Sequence, residues 1–116
     1  MKMKMKMFKI EFYVPEENYE SVTQALFSVG AGKIGDYDHC AWRTAGIGQF
    51  RPLDGSVPHL GVTGRLACFS EVKVELVCGE EFLSKACAAL RTAHPYEEPA
   101  YSVAEMLDTS NFVLVR

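Results

Sequence analysis

The chain has 116 residues and a formal net charge of -3, with 48% hydrophobic and 23% charged residues. This length suits one domain around one hydrophobic core, and the composition excludes a disordered or fibrous protein. Lys2, Lys4 and Lys6 are three of the twelve basic residues, so the rest of the chain carries nine basic against fifteen acidic side chains. Because binding to a phosphate backbone depends on clustered Lys and Arg, nucleic acid is not an expected partner.

The N-terminal segment and the cysteines bear on the cellular compartment. The opening MKMKMKM lacks the continuous apolar stretch of a secretory signal. No run reaches the ~20 apolar residues that a membrane span needs, so no membrane partner is expected. The four cysteines form no CxxC pair, and their mostly apolar neighbours favour buried, reduced thiols over disulfides or a zinc cluster. The expected compartment is the cytoplasm.

The first half of the chain predicts a strand and then a helix. Met7 to Val14 alternates apolar and polar residues, which is the period of a half-buried strand. Pro15 and the two glutamates after it suit the start of a helix. Apolar residues then recur at helical spacing from Tyr19 to Val29, followed by Gly30 as the expected C-cap. The glycine-rich stretch from Gly30 to Leu53 is expected to turn and become a long strand.

The second half repeats this order. Glu71 to Cys78 alternates as a strand, and Glu80 to Ala93 has the apolar stripe of a helix. His94 precedes a proline, which disfavours helical geometry and ends the helix. Ala100 to Leu107 supplies the last strand. The two halves predict an α+β fold, a ferredoxin-like βαββαβ sandwich with a four-stranded antiparallel sheet and both helices on one face.

The connection between the halves is longer than a hairpin needs. Ala45 to Ser70 is rich in glycine and proline, and connections of this length are usually functional or engaged with a neighbour. We expect one domain over residues 7–116, with an excursion over 45–70, after a Met-Lys extension of residues 1–6. The tail Asn111 to Arg116 is apolar enough to add an edge strand to a partner subunit.

One glycine motif is a false match to a nucleotide-binding fingerprint. Gly30 to Gly35 satisfies GxGxxG literally. That fingerprint works where a strand enters the loop and a helix leaves it, so that the pyrophosphate meets a helix N-terminus. Here a helix enters and a strand leaves. The motif therefore predicts a glycine-rich helix exit and no dinucleotide.

Candidate binding residues fall in two clusters, and no catalytic residue is proposed because neither cluster has an evident nucleophile. The candidate ligand-binding residues are His39, Cys40, Trp42, Tyr96 and Glu98. His94 and Glu97 are the candidate metal ligands, since imidazole and carboxylate together suit several divalent ions. His39 and Cys40 cannot easily bind one ion, because neighbours on a strand point to opposite faces. Structural roles are the main alternative, with the HPYEEP segment leading the second helix into the last strand.

The two halves also predict where the histidines lie. Their pseudo-twofold relation puts the exits of the two helices at opposite ends of the sheet, so His39 and His94 should not meet within one chain. A metal site that used both would have to lie between subunits.

Three separated motifs carry a family resemblance. GAGKIGDYDHCAW, GIGQFRPLDG and AHPYEEPAY resemble, in this order, the insert domain of the Nif-three-like dinuclear-metal-centre family, of the YqfO type. The resemblance runs from Phe8 to Leu107. That insert is related to the CutA and PII-like trimeric folds, and HPYEEP is similar to a segment of CutA, which is linked to divalent-cation tolerance. The resemblance thus implies a ferredoxin-like core and a trimer.

One departure from the family limits what the resemblance implies about activity. In the full-length proteins two metal ions are bound by domains that flank the insert, and His39, His59 and His94 lie in none of those motifs. The hydrolase centre and the GTP cyclohydrolase-type label are therefore not carried over. The favoured interpretation is a non-enzymatic, oligomeric, stand-alone module that binds a small ligand, a divalent cation or a protein partner between subunits.

Two alternatives stay open. One is a metal-dependent enzyme, a hydrolase whose ligands His39, His94 and Glu97 converge across an interface. The other is a structural partner of a separate dinuclear-metal protein. The resemblances to the Nif-three-like family and to CutA both suggest one cofactor, a divalent metal ion.

Overall fold

A computed structural model describes residues 5–110 of the chain. The elements in order are β1 (Met7–Pro15), a short 3-10 helix (Glu16–Asn18), α1 (Tyr19–Ser28), β2 (Trp42–Phe50), β3 (Ala67–Gly79), α2 (Glu80–Ala93) and β4 (Tyr101–Glu105). The strands form one antiparallel sheet in the order β2-β3-β1-β4. The predicted ferredoxin-like α+β fold is confirmed. The edge strand predicted for the tail lies outside the described residues.

The core lies between the sheet and the two helices. Alternate residues of β1 pair with alternate residues of β3 on this face, as Ile10 with Leu76, Phe12 with Val74 and Val14 with Val72. The helices cover them with Val22, Leu26, Ala86 and Leu90, all fully buried. Each large apolar side chain buried in this way stabilises the fold by roughly 1.5–3 kcal/mol. Within residues 5–110, no helix covers the other face of the sheet.

Strands β2 and β3 extend beyond the rest of the sheet. β3 begins at Ala67 and not at Glu71, where the sequence pattern placed its start. Strand β1 pairs with β3 only as far as Glu71, whereas β2 continues to the pair Phe50 with Ala67. Residues 47–50 and 67–70 therefore form a projecting two-stranded ribbon. The two strands are joined by the 51–66 loop.

The glycines after α1 close that helix with backbone bonds. Gly30 and Gly32 have φ of 108° and 79°, a region that favours glycine. The Gly32 N–H donates to the Val77 carbonyl at 2.7 Å, and the Gly32 carbonyl accepts from the Cys40 N–H at 2.8 Å. The segment is entered by α1 and leads to β2, so its geometry is that of a helix exit.

The cysteines are all unpaired thiols, but they are not uniformly buried. Cys78 is buried, and burial raises its pKa to about 11. Cys68 is exposed on the ribbon, so the expectation of buried thiols is wrong for this residue. None of the helices within residues 5–110 combines the length and apolarity that a membrane crossing requires.

Candidate functional site

The two clusters of candidate residues lie toward different ends of the sheet. The exit of α1 is tied to Val77, which pairs with Lys9 near the start of β1. The exit of α2 is tied to Tyr13, near the end of the same strand, through the His94 ring. Four strand positions separate the two attachment points, which corresponds to about 13 Å. Within one chain the clusters form two separate surfaces.

The first cluster is a shallow surface feature. The His39 ring lies against Phe27 with centroids 4.7 Å apart, and its Nδ1 is 3.1 Å from a carboxylate oxygen of Asp38. Cys40 and Trp42 line a hollow of about 370 Å³, and His39 does not line it. The Trp42 side chain is 68% exposed. This cluster offers an apolar contact surface more than an enclosed site.

The second cluster borders a larger cleft of about 440 Å³. Its walls come from the ribbon, the 51–66 loop and the HPYEEP segment that follows α2. Among the predicted residues, Tyr96, Glu97 and Glu98 line this cleft. The cleft opens on the helix-free side of the sheet, because Phe50 and Glu71 belong to the strand positions that face away from the helices.

Tyr96 holds the centre of the cleft wall. Its hydroxyl donates to the Glu71 carboxylate at 2.6 Å, and its ring meets Phe50 edge-on at 5.7 Å between centroids. Burial, followed by the hydrogen bond to Glu71, raises the pKa of Tyr96 far above its usual range. The phenol therefore stays protonated and acts as a donor. A Cβ at Gly48 would collide with the Glu71 carboxylate, so a larger residue at this position would displace the Glu71 side chain.

The buried His94 ring links this wall to β1 through two hydrogen bonds, and we call this side chain the His94 pin. It is 5% exposed, and its Nε2 lies 2.6 Å from the Tyr13 carbonyl oxygen. Its Nδ1 accepts a hydrogen bond from the Tyr96 N–H at 3.1 Å, which assigns the proton to Nε2. Burial, the largest cause, lowers the pKa of His94. The ring is thus neutral, and both of its nitrogens are engaged.

The two predicted metal ligands near the cleft, His94 and Glu97, already have hydrogen-bond partners within the chain. Metal coordination by His94 would require the loss of one of its two hydrogen bonds. Glu97 accepts a hydrogen bond from the Val57 N–H at 3.2 Å, which ties the 51–66 loop to the HPYEEP segment. Across residues 5–110, no three or more His, Cys, Asp or Glu side chains converge into a group that could hold a metal ion. These residues do not fit a dinuclear centre within one chain, and the metal site at His94 and Glu97 stays a prediction.

Several cleft residues were missed by sequence reasoning. Phe50, Gly48 and Glu71 line the cleft, but they come from two strands and carry no local motif. His59 lies in the 51–66 loop with its ring centroid 6.4 Å from that of Tyr96. The composition of the loop marked it as functional, without showing which side chain would face the cleft. The strand residues Gly48, Phe50 and Glu71 are brought together by the pairing of β2 with β3.

The fold is similar to that of the CutA proteins. CutA1 from Pyrococcus horikoshii superposes with a TM-score of 0.63 over 90% of this chain and 88% of that protein, at 17% identity. CutA from Synechococcus elongatus does so with a TM-score of 0.63 over 90% of this chain and 80% of that protein, at 18% identity. At such identities the likeness establishes the fold alone.

Sequence comparison finds relatives of higher identity. Proteins named GTP cyclohydrolase 1 type 2 homolog match at 48% identity over 91 residues in Mycobacterium tuberculosis and at 44% over 95 residues in Bacillus subtilis. A Bacillus cereus protein related to NIF3 superposes with a TM-score of 0.78 over 92% of this chain, at 36% identity. The chain is therefore homologous to one segment of the NIF3-related proteins, as its motifs predicted.

The matches define only part of those proteins. They cover 78% and 82% of this chain in the two sequence relatives, but only 24% and 26% of the relatives themselves. The chain likewise covers 27% of the Bacillus cereus structure. This chain thus spans about a quarter of the length of its relatives. No protein-family model matches the chain.

Proposed function

We propose that this chain is a non-enzymatic, CutA-like module that assembles into a homotrimer and binds a small ligand in the cleft beside Tyr96. The observation that carries the assembly is the exposure of β2. Trp42 is 68% exposed and Ile47 is 79% exposed. The two residues lie an odd number of positions apart, so they face opposite sides of the strand. A strand with apolar side chains exposed on both faces favours a covering partner.

The helix-free face of the sheet supports the same proposal. Charges on it are already paired within the chain, as in the contact of 2.7 Å between Lys9 Nζ and the Glu75 carboxylate. Lys73 contacts Glu11 at 3.8 Å on the same face. Such internal pairing lowers the cost of covering the face, and Trp42 lies at its edge. Closed symmetric homo-oligomers are the commonest assemblies, so a further copy of this chain is the proposed cover.

The geometry of the cleft favours binding over chemistry. A volume of about 440 Å³ falls within the range of small-molecule sites, which are mostly apolar with a few placed polar groups. Tyr96 and His94 already form hydrogen bonds within the chain. The Tyr96 hydroxyl stays protonated and donates to Glu71, and both ring nitrogens of His94 are engaged. We propose the cytoplasm as the compartment, supported by four unpaired thiols.

The assembly is tested by sedimentation velocity and by the fluorescence of Trp42, the only tryptophan. We expect a trimer at micromolar concentration, with emission that shifts to longer wavelengths as the protein dissociates on dilution. Trp42→Glu should give a monomer, because a buried unpaired charge is strongly disfavoured. Tyr37→Glu is the matched control, since Tyr37 is 75% exposed but lies outside β2. A wild-type monomer at micromolar concentration would contradict the proposed assembly.

A further inference from the structure

The charges around the cleft narrow the class of ligand. Three glutamates line it, Glu71, Glu97 and Glu98, together with the phenols of Tyr13 and Tyr96. Neither lysine nor arginine is among the described residues that line it. Anionic groups such as phosphate are bound by Arg, Lys and clustered backbone N–H donors. The lining therefore opposes an anion and favours a positive charge.

Aromatic rings in the cleft add a second, independent preference. The Tyr96 ring is inclined by 63° to the Phe50 ring and by 50° to the His59 ring. Tyr96 thus lies between two rings whose planes differ from its own. The faces of aromatic rings attract cations that come within about 6 Å of the ring centroid. The hydrogen bond from Tyr96 to Glu71 fixes the central ring and places a carboxylate beside it. Quaternary ammonium groups are recognised by such combinations of rings.

On the basis of the proposed ligand-binding function, we propose that the cleft takes an organic cation, a small molecule that carries an ammonium group on an apolar body. A bare metal ion fits less well, because the carboxylates of the described residues do not converge with other donors into a metal-binding group. The apolar surface of Pro52, Pro58 and Leu60 offers a contact for the body of the ligand. A phosphate-bearing nucleotide does not fit the charge of the lining, because its phosphates would lie beside three glutamates.

The experiment compares probes that differ in charge. Choline and phenyltrimethylammonium are titrated into the ¹⁵N-labelled protein, together with the uncharged tert-butyl isostere of choline and with ATP. We expect the two cations to shift the amide signals of Val57 and Tyr96. The uncharged isostere should bind roughly tenfold more weakly, which is the scale of a partly desolvated cation–π contact. ATP should leave these signals in place.

Glutamate-to-glutamine variants test whether the carboxylates of the cleft cause the preference for a cation. The double variant Glu97→Gln and Glu98→Gln keeps the shape of the rim and an acceptor for the Val57 N–H. It should weaken choline binding by several-fold to about tenfold. The control is Glu80→Gln with Glu81→Gln, which makes the same change in net charge at exposed positions beyond the far end of β3, roughly 26 Å along the strand from Glu71. Its choline affinity should equal that of the wild type, because exposed charges beyond a Debye length are screened.

Each outcome is decisive. Equal binding of choline and its isostere, with no effect of the glutamine variant, would overturn the cation preference while retaining the cleft as a binding site. Tighter binding of ATP would do the same. Absence of any shift would contradict both the inference and the ligand-binding half of the proposed function. The assembly half is judged separately by sedimentation.

Discussion

The two helices of this protein are followed by return segments that are built in different ways. After α1 the chain turns on glycines, with Gly30 and Gly32 at positive φ and their backbone groups bonded locally and to β3. After α2 the chain is held by a side chain, because the buried His94 ring bridges the Tyr13 carbonyl and the Tyr96 N–H. A backbone turn leaves few side chains to form walls. The His94 side chain fixes Tyr96, two residues further along the chain, and Tyr96 forms part of the cleft wall.

The two segments also differ in how firmly they hold their side chains. The glycine-rich exit carries the most unusual composition, yet its His39 lies exposed over Phe27. The exit of α2 carries two prolines and two glutamates, and Glu97 reaches across to the 51–66 loop. Rigid support of a binding group is what gives a site its precision. The segment after α2 therefore has the better candidate site.

The largest effect should come from removal of the pin. His94→Ala leaves the Tyr13 carbonyl and the Tyr96 N–H without their partner and opens a cavity, so we expect a loss of about 2–4 kcal/mol in the free energy of unfolding. His39→Ala, the matched change at the other exit, should cost at most about 0.5 kcal/mol, as for most exposed positions. Urea unfolding monitored by circular dichroism gives both values. Equal losses would show that the two exits do not differ as described.

A smaller effect is expected from a methyl group at the first exit. Gly30 has φ of 108°, and a Cβ there would lie 2.7 Å from the Phe82 ring. Gly30→Ala should therefore cost about 1–3 kcal/mol through backbone strain and displacement of the ring. Gly35→Ala is the control, since Gly35 has φ of 56° and nothing within 4 Å of the added atom. Its cost should be limited to about 1 kcal/mol of left-handed strain.

If both alanine variants unfold at the same urea concentration, contact with Phe82 contributes nothing and the strain alone remains. A larger loss for Gly35→Ala would contradict the view that this exit is fixed near α1. The difference between the two midpoints is thus the measurement that tests the backbone half of the comparison.

Local patterns predicted the elements of this fold more completely than the cleft. The helix predicted from Glu80 to Ala93 has those bounds in the structure, because its apolar stripe and the following proline are both local signals. The start of β3 was placed at Glu71 and lies at Ala67. Residues 67–70 are paired only with β2, so the extra length depends on a contact that no alternation of local residues reveals. Pairing between distant segments decides such boundaries.

The same distinction explains the candidate site. Tyr96, Glu97 and Glu98 were selected from a segment that is dense in prolines, tyrosines and carboxylates, and all three line the cleft. Glu71 could be placed on the helix-free face of a strand, but nothing in the sequence indicated that it would accept a hydrogen bond from Tyr96. Twenty-five positions separate the two residues. Their contact follows from how β3 and the segment after α2 converge.

The smallest expected effect is the dependence of stability on pH, which reports on the protonation of His94. Burial lowers the pKa of His94 below its ordinary value of 6.5, despite opposing effects of the Tyr13 carbonyl and the Glu71 carboxylate, with His59 adding to the decrease. In the window below 6.5 the unfolded chain binds more protons at this residue than the folded chain, so stability falls as the pH falls and levels off above the window. Urea midpoints between about pH 5 and 7 should show this slope in the wild type and in His39→Ala, and a flatter one in His94→Ala. A slope that survives in His94→Ala would assign the titration to another group and leave the neutral state of the pin unsupported.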